Sequence, residues 1–192
     1  MIKTEYLLLD PAFKPTRALD RSAGYDLRAY LEEEPIFTWK GFRHSSVTST
    51  CIDGKPVDYT RLTDDKLHEY DPLGRFVYLL PGEKKIISAG FKVRLSTDTP
   101  NKIATMLICS RSGLACVGGL TVINAPGIID EDYPGAVGVG LINHSQSLHI
   151  ISHGCRIAQA LFIEAEDPEE VVLEKIAFSG NRSGGFNSTG TK

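Results

Sequence analysis

At 192 residues, 42% hydrophobic and 23% charged, the chain is sized for one globular domain with room for a sizeable insertion. A formal net charge of −3, with no lysine–arginine stripe, argues against nucleic-acid binding but leaves room for one phosphate-bearing small ligand. No secretory or membrane-spanning run is evident and the four cysteines lack paired metal-ligand spacing, so reduced thiols and no membrane association are expected.

In chain order, residues 1–5 lead directly into a short apolar run. Residues 32–74 then break the pattern with the acidic run Glu32–Glu34, the single tryptophan Trp39, and a polar span at 60–71 that suits a short helix. About forty residues exceed an ordinary connection, so this segment reads as a surface insertion, packed by Phe37 and Trp39 or presented to a protein partner. Strand signals follow: Lys85–Ser88 and Phe91–Leu95 around Ala89-Gly90, Ile103–Cys109, Ala136–Asn143, Leu148–Ile151 and Ile157–Ile163. Prolines and glycines at 81, 82, 126, 127, 134 and 135 punctuate them, and no segment is periodic enough to anchor a helical bundle. The expected fold is all-β, a jelly-roll-like or barrel-like sandwich spanning residues 1–178. An acidic stretch, 164–174, leads to the terminal segment.

Residues 179–192 cannot build a core. Four glycines make ordering costly unless a ligand supplies contacts. Arg182, Ser188 and Thr189 suit phosphate oxygens, and Phe186 offers a flat apolar face. The segment reads either as a flexible arm closing over a ligand or as an untethered tail.

The chemical candidates are Asp26, Arg111, Ser112, Gly113, Asn124, Asp130, Tyr133 and Gln159, together with that arm. Ser110-Arg-Ser-Gly113 follows an apolar strand and can offer a hydroxyl, a guanidinium and backbone N–H groups to phosphate, or can be an ordinary hydrogen-bonded turn. In Gly127–Gly135, Asp130 can accept a proton from a water directed at phosphorus, and Tyr133 can stack on a sugar. Asn124 has the donor and acceptor needed to read a pyrimidine edge. The alternative is a capped hairpin in which Asp130 and Asn124 satisfy backbone groups. The five histidines show no ligand spacing and are expected to be structural or superficial. Cys109 and Cys116 are expected to pack in the interior.

Five blocks in order resemble the homotrimeric dUTPase family: Ser22-Ala-Gly-Tyr-Asp-Leu-Arg-Ala29, Ser110-Arg-Ser-Gly-Leu-Ala115, Gly119–Gly135, Arg156-Ile-Ala-Gln-Ala-Leu-Phe162, and Arg182-Ser-Gly-Gly-Phe-Asn-Ser-Thr-Gly190. The resemblance implies a β-clip fold and hydrolysis of dUTP to dUMP and pyrophosphate with Mg²⁺. It implies that Asp130 activates water, Tyr133 packs on deoxyribose and Asn124 reads uracil. Arg111, Ser112, Gly113 and Gln159 would hold phosphates from a neighbouring subunit, and Asp26 would support the metal's water shell without direct ligation. Phe186 would cover the base, with Arg182, Ser188 and Thr189 clasping the terminal phosphates.

The sequence departs from the family pattern at Ser110, where proline is usual, at Ala136, and in the register of Asn181 and Arg182. The related dCTP deaminases, some bifunctional, need a glutamate beside the third block, where Ala136 stands. A non-enzymatic interaction protein using residues 32–74 is the alternative of another class. A cytoplasmic location is expected, nuclear and infected-cell locations being equally compatible.

Overall fold

The computed structural model describes residues 1–32, 50–52, 55–57, 75–170 and 172. Before the 32–74 insertion lie β1 (Ile2–Leu8), β2 (Thr16–Arg17) and β3 (Tyr25–Arg28); β4 (Thr50–Ile52) and β5 (Lys55–Val57) lie within it. The remainder follows as β6 (Phe76–Leu79), β7 (Lys84–Ser88), β8 (Phe91–Thr97), β9 (Lys102–Cys109), β10 (Leu120–Val122), β11 (Gly127–Ile129), β12 (Gly138–Asn143), β13 (Leu148–Ser152) and β14 (Arg156–Glu166). Helical geometry among the described residues is confined to a 3-10 turn at Pro11–Phe13 and a π-helical turn at Gly113–Val117.

The strands form four sheets, ordered β11-β9-β14-β3-β2, β5-β4-β13-β6, β10-β12-β7 and β1-β8. Alternation builds the core. In β8, Phe91, Val93 and Leu95 are buried while Lys92, Arg94 and Ser96 face solvent, the pattern of a sheet wet on one side. These residues pack with Leu27, Met106, Val139 and Leu141, so one apolar centre joins the sheets. The expected break at Ala89-Gly90 is real, and its cause is local. Gly90 has φ +79°, and an added Cβ would lie 2.9 Å from Tyr30 Cβ, so backbone angle and space both require glycine.

Strand β13 is buried along its whole length, which requires both of its faces to be covered, and it has a strand on either side. One of them, β4, comes from the 32–74 segment and pairs in parallel, Leu148 opposite Thr50 and Ile150 opposite Ile52. Two described pieces of that segment thus attach to the body as a hairpin. Trp39, Phe37, His44, His68 and the span at 60–71 lie outside the described residues.

His149, in the middle of β13, is 1% exposed, and its Nε2–H donates to the Gly118 carbonyl at 2.7 Å. That bond fixes the neutral tautomer, since a carbonyl only accepts. Burial pushes the imidazole's pKa below its ordinary value. The native state therefore refuses a proton that the unfolded chain accepts once pH falls below about 6.5. Stability contributed by this site is whole above that pH and is lost as pH falls toward the lowered native value, by at most about 1.4 kcal/mol per pH unit. Thermal melts between pH 7.5 and 5.5 are expected to show a smaller acid loss in His149→Gln than in the parent; an identical slope would refute this assignment.

His153 also packs structurally, edge-on to Phe13 at 4.8 Å between centroids. Cys109 and Cys116 are free thiols. Cys116 corrects the expectation of interior packing: it is exposed, because the π-helical turn buries Leu114 and leaves Cys116 on its outer side.

Candidate active site

The two ends of the five-stranded sheet carry different chemistry. At one end, strand pairing aligns Asp26 of β3 with Gln159 of β14 and Gln159 with Cys109 of β9. Immediately after Cys109 the chain leaves the sheet into the Ser110–Gly113 turn. Gln159 Nε2 donates to the Ser110 carbonyl at 2.9 Å, and Ser110 Oγ accepts from the Val122 amide at 2.9 Å. Ser110, the first residue of the turn, is therefore anchored through both its carbonyl and its hydroxyl before the π-helical residues begin. A Cβ added at Gly24 would sit 2.5 Å from Gln159 Oε1, so the first block's glycine makes room for this glutamine.

Asp26 lies between two arginines. Its Oδ1 is 3.2 Å from Arg111 Nε, and its Oδ2 is 3.3 Å from Arg156 Nη1. Arg111 also donates through Nη1 to the Arg156 carbonyl at 3.0 Å. With the Asp26 side chain only 14% exposed, the carboxylate holds both guanidinia at the sheet surface. Two cations share one anion, which leaves a positive excess beside the Ser112 hydroxyl and the Gly113 amide. This is a donor set for an anion. The structure brings Asp26, Arg111, Ser112, Gly113 and Gln159 together here, and adds Arg156, whose role depends on a β3–β14 register that no local motif announces.

The third block surrounds β11. Asn124 precedes it, in a loop containing a cis Ala125–Pro126 bond. Its amide lies over two glycines: an added Cβ would come within 3.2 Å of Asn124 Nδ2 at Gly127 and within 3.8 Å of Oδ1 at Gly140. Asp130 follows the last paired residue of β11, Ile129, which faces Met106. Its side chain is exposed, with no hydrogen bond or ion pair among the described residues. Tyr133 closes the turn through its amide, which donates to the Asp130 carbonyl at 3.3 Å, and its hydroxyl donates to the Ala136 carbonyl at 3.2 Å. A Cβ at Gly135 would meet the Tyr133 hydroxyl oxygen at 2.7 Å, so glycine there lets the ring lie back. The ring is fixed yet 39% exposed, which suits stacking. A concavity of about 430 Å³ beside it is walled by Tyr6, Lys92, Val93 and residues 131–134 and contains neither Asp130 nor Arg111.

Register separates the two groups. From Met106 to Cys109 is three residues, about 10 Å along β9, and β11 and β14 flank β9 at about 4.8 Å on either side. Asp130 and Gln159 of one chain are therefore about 14 Å or more apart. Reacting groups must approach to about 3–3.5 Å, far less than this backbone separation between the two groups of one chain. Arg182, Phe186, Ser188 and Thr189 lie outside the described residues.

A family model described as dUTPase matches residues 77–190. Among curated relatives, the deoxyuridine 5'-triphosphate nucleotidohydrolase of Anaeromyxobacter sp. (strain Fw109-5) is 39% identical over 114 residues, 59% of this chain and 74% of its own. The protein of the same name from Picosynechococcus sp. is 35% identical over 125 residues, 65% and 82% of the two chains. A mutant dUTPase of Staphylococcus bacteriophage 80alpha, solved with dUpNHpp, superposes with a TM-score of 0.60 at 19% identity, covering 98% of this chain and 99% of that one. A dUTPase mutant from phage phi11 of S. aureus, solved with a structural Mg(II) ion, has a TM-score of 0.55 at 18% identity, covering 91% and 98%. These structures share the β fold, and the sequence matches carry the identity. On these sequence matches the chain belongs to the dUTPase family and is a dUTP diphosphatase.

Proposed function

We propose that this chain hydrolyses dUTP to dUMP and pyrophosphate by water attack at the α-phosphorus, with Asp130 as the proton acceptor. The observation that carries this reading is the state of the acidic turn. Of three consecutive acids, Glu131 is occupied by the Ala104 amide at 2.6 Å, whereas Asp130 and Asp132 are exposed and unpartnered among the described residues, and of those two Asp130 is the one joined directly to the end of β11. The carboxylate takes the water's proton as the oxygen–phosphorus bond forms. The bond from the α-phosphorus to the bridging oxygen breaks, and pyrophosphate leaves with that electron pair.

Asn124 and Asp130 bracket about 10 Å of β11, a platform along which a nucleoside can lie. Asn124 reads the uracil edge, and Tyr133, held over Gly135, packs on the deoxyribose and leaves no room for a 2′-hydroxyl. Cytosine presents an amine where uracil presents O4 and leaves a buried mismatch. Arg111, Ser112, Gly113 and Gln159 hold the phosphate chain. Because these lie far from Asp130 of the same chain, the reading includes a homotrimer in which a neighbour supplies them. Phe186 then covers the base, and Arg182, Ser188 and Thr189 clasp the outer phosphates, excluding water as the arm closes.

The donor set does not make a resident metal cage. Both Asp26 oxygens face guanidinia, and no cluster of three His, Cys, Asp or Glu residues occurs among the described residues. It would suit Mg²⁺ brought by the triphosphate, for which Asp26 would be a residue acting through water and not as a direct ligand. Such an ion neutralises charge accumulating on the pyrophosphate.

Product analysis with dUTP, dCTP, dTTP and UTP tests the reading. Pyrophosphate and dUMP are expected from dUTP, with kcat/KM at least about 100-fold above the other three. Ammonia release from dCTP would overturn it.

A further inference from the structure

We infer that Thr105 and Glu131 are positioning residues for the hydrolytic step, clamping the chain on both sides of Asp130 to β9. The inference rests on Asp130 as the water-activating carboxylate and adds how that carboxylate is aimed.

The backbone ladder between β11 and β9 pairs Gly127 with Ile108 and Ile129 with Met106. Continued by the same step, it would place residue 131 opposite Ala104. Instead β11 ends at Ile129, and the chain turns so that Asp130 can face solvent. A strand end released this way frays unless other bonds replace the ladder.

Two side chains replace it. The Thr105 hydroxyl, on a residue 7% exposed, donates to the Ile129 carbonyl at 2.9 Å. Glu131 Oε1 accepts from the Ala104 amide at 2.6 Å, the donor that the next ladder pair would have used. The residues before and after Asp130 are thus tied to adjacent positions of the same buried strand. The Asp130 carbonyl receives the Tyr133 amide, while the Asp130 side chain, like that of Asp132 farther along the turn, engages nothing else among the described residues; Asp130 is the one held between the two clamped positions.

This division of labour suits a general base. A carboxylate bonded directly to protein would be well fixed but would have its lone pairs occupied. One on an unanchored turn would keep its lone pairs and lose its aim. Anchoring both neighbours fixes direction while leaving both oxygens for water and proton. Glu131 is acidic but takes no proton in this scheme, and neither clamp touches substrate.

The test is steady-state hydrolysis of dUTP by the full-length chain carrying Thr105→Val, Thr105→Ser, Glu131→Ala or Glu131→Gln, each with Asp130 and with Asp130→Asn. Thr105→Val and Glu131→Ala are expected to lower kcat about ten- to a hundredfold, because small misplacements of a reacting group carry costs of that order. KM is expected to stay within about threefold. Thr105→Ser and Glu131→Gln keep a donor and an acceptor and should restore most of the rate. With Asn at position 130, the clamp variants should cause no further loss, since there is no base left to aim. Thr105 is buried, so if its valine variant does not fold, the Glu131 pair carries the test from its half-buried position. A kcat within about twofold of the parent in Glu131→Ala would overturn the inference, as would equal losses with and without Asp130. Undiminished turnover in Asp130→Asn alone would instead remove the functional reading beneath it.

Discussion

Asp130→Asn is expected to lower kcat for dUTP by about 10²–10⁴-fold while leaving affinity for a non-hydrolysable dUTP analogue unchanged or slightly raised. The asparagine has nearly the shape of the carboxylate and can still hold a water by one hydrogen bond. It cannot take that water's proton at neutral pH, so the attacking oxygen must reach phosphorus as water rather than with hydroxide character. Affinity should survive because Asp130 makes no side-chain bond among the described residues whose loss would unfold the turn. Removing a negative charge beside a polyanionic substrate also relieves repulsion. Single-turnover rates and analogue titration, done on the same preparation, separate the two effects. Turnover near the parental level would exclude Asp130 as the base. Glu131 would be a poor successor, because its carboxylate already accepts the Ala104 amide.

Much of the β architecture was legible because burial imposes a period. Phe91, Val93 and Leu95 alternate with Lys92, Arg94 and Ser96 because one face of β8 meets the core, and that pattern survives in the sequence. Gly90 was legible as an interruption for the same kind of reason, a backbone angle that other residues rarely adopt. The parallel pairing of β4 with β13 was not legible. It joins residues about a hundred positions apart, and β13 is buried throughout, so no alternation shows which neighbours cover it. The candidate site divides along the same line. Ordered motifs point to Arg111, Asn124, Asp130, Tyr133 and Gln159 individually. That Asp26 would be shared by Arg111 and Arg156 depends on register across three strands. The clamps at Thr105 and Glu131 were invisible because each is a single polar residue whose partner is a backbone atom of another strand.

That register also makes a prediction about assembly. Asp130→Asn and Arg111→Gln should each be nearly inactive alone, for different reasons: the first lacks the proton acceptor, and the second lacks the guanidinium that Asp26 presents. If each site takes Asp130 from one subunit and Arg111 from another, a trimer containing both variants includes sites in which neither lesion falls. Random mixing of equal amounts leaves about one quarter of sites with both residues intact, so co-expressed or co-refolded variants should recover about a quarter of parental activity. A site built within one chain predicts no recovery, because every chain in the mixture carries one lesion. The separation of about 14 Å or more between Asp130 and Gln159 of one chain favours the first outcome. Glutamine at position 111 keeps hydrogen-bonding capacity toward Asp26 and the Arg156 carbonyl, which limits collapse of the turn. A mixture no more active than its components, with mixed trimers verified by mass, would place the complete site inside one chain and contradict the sheet register's reading.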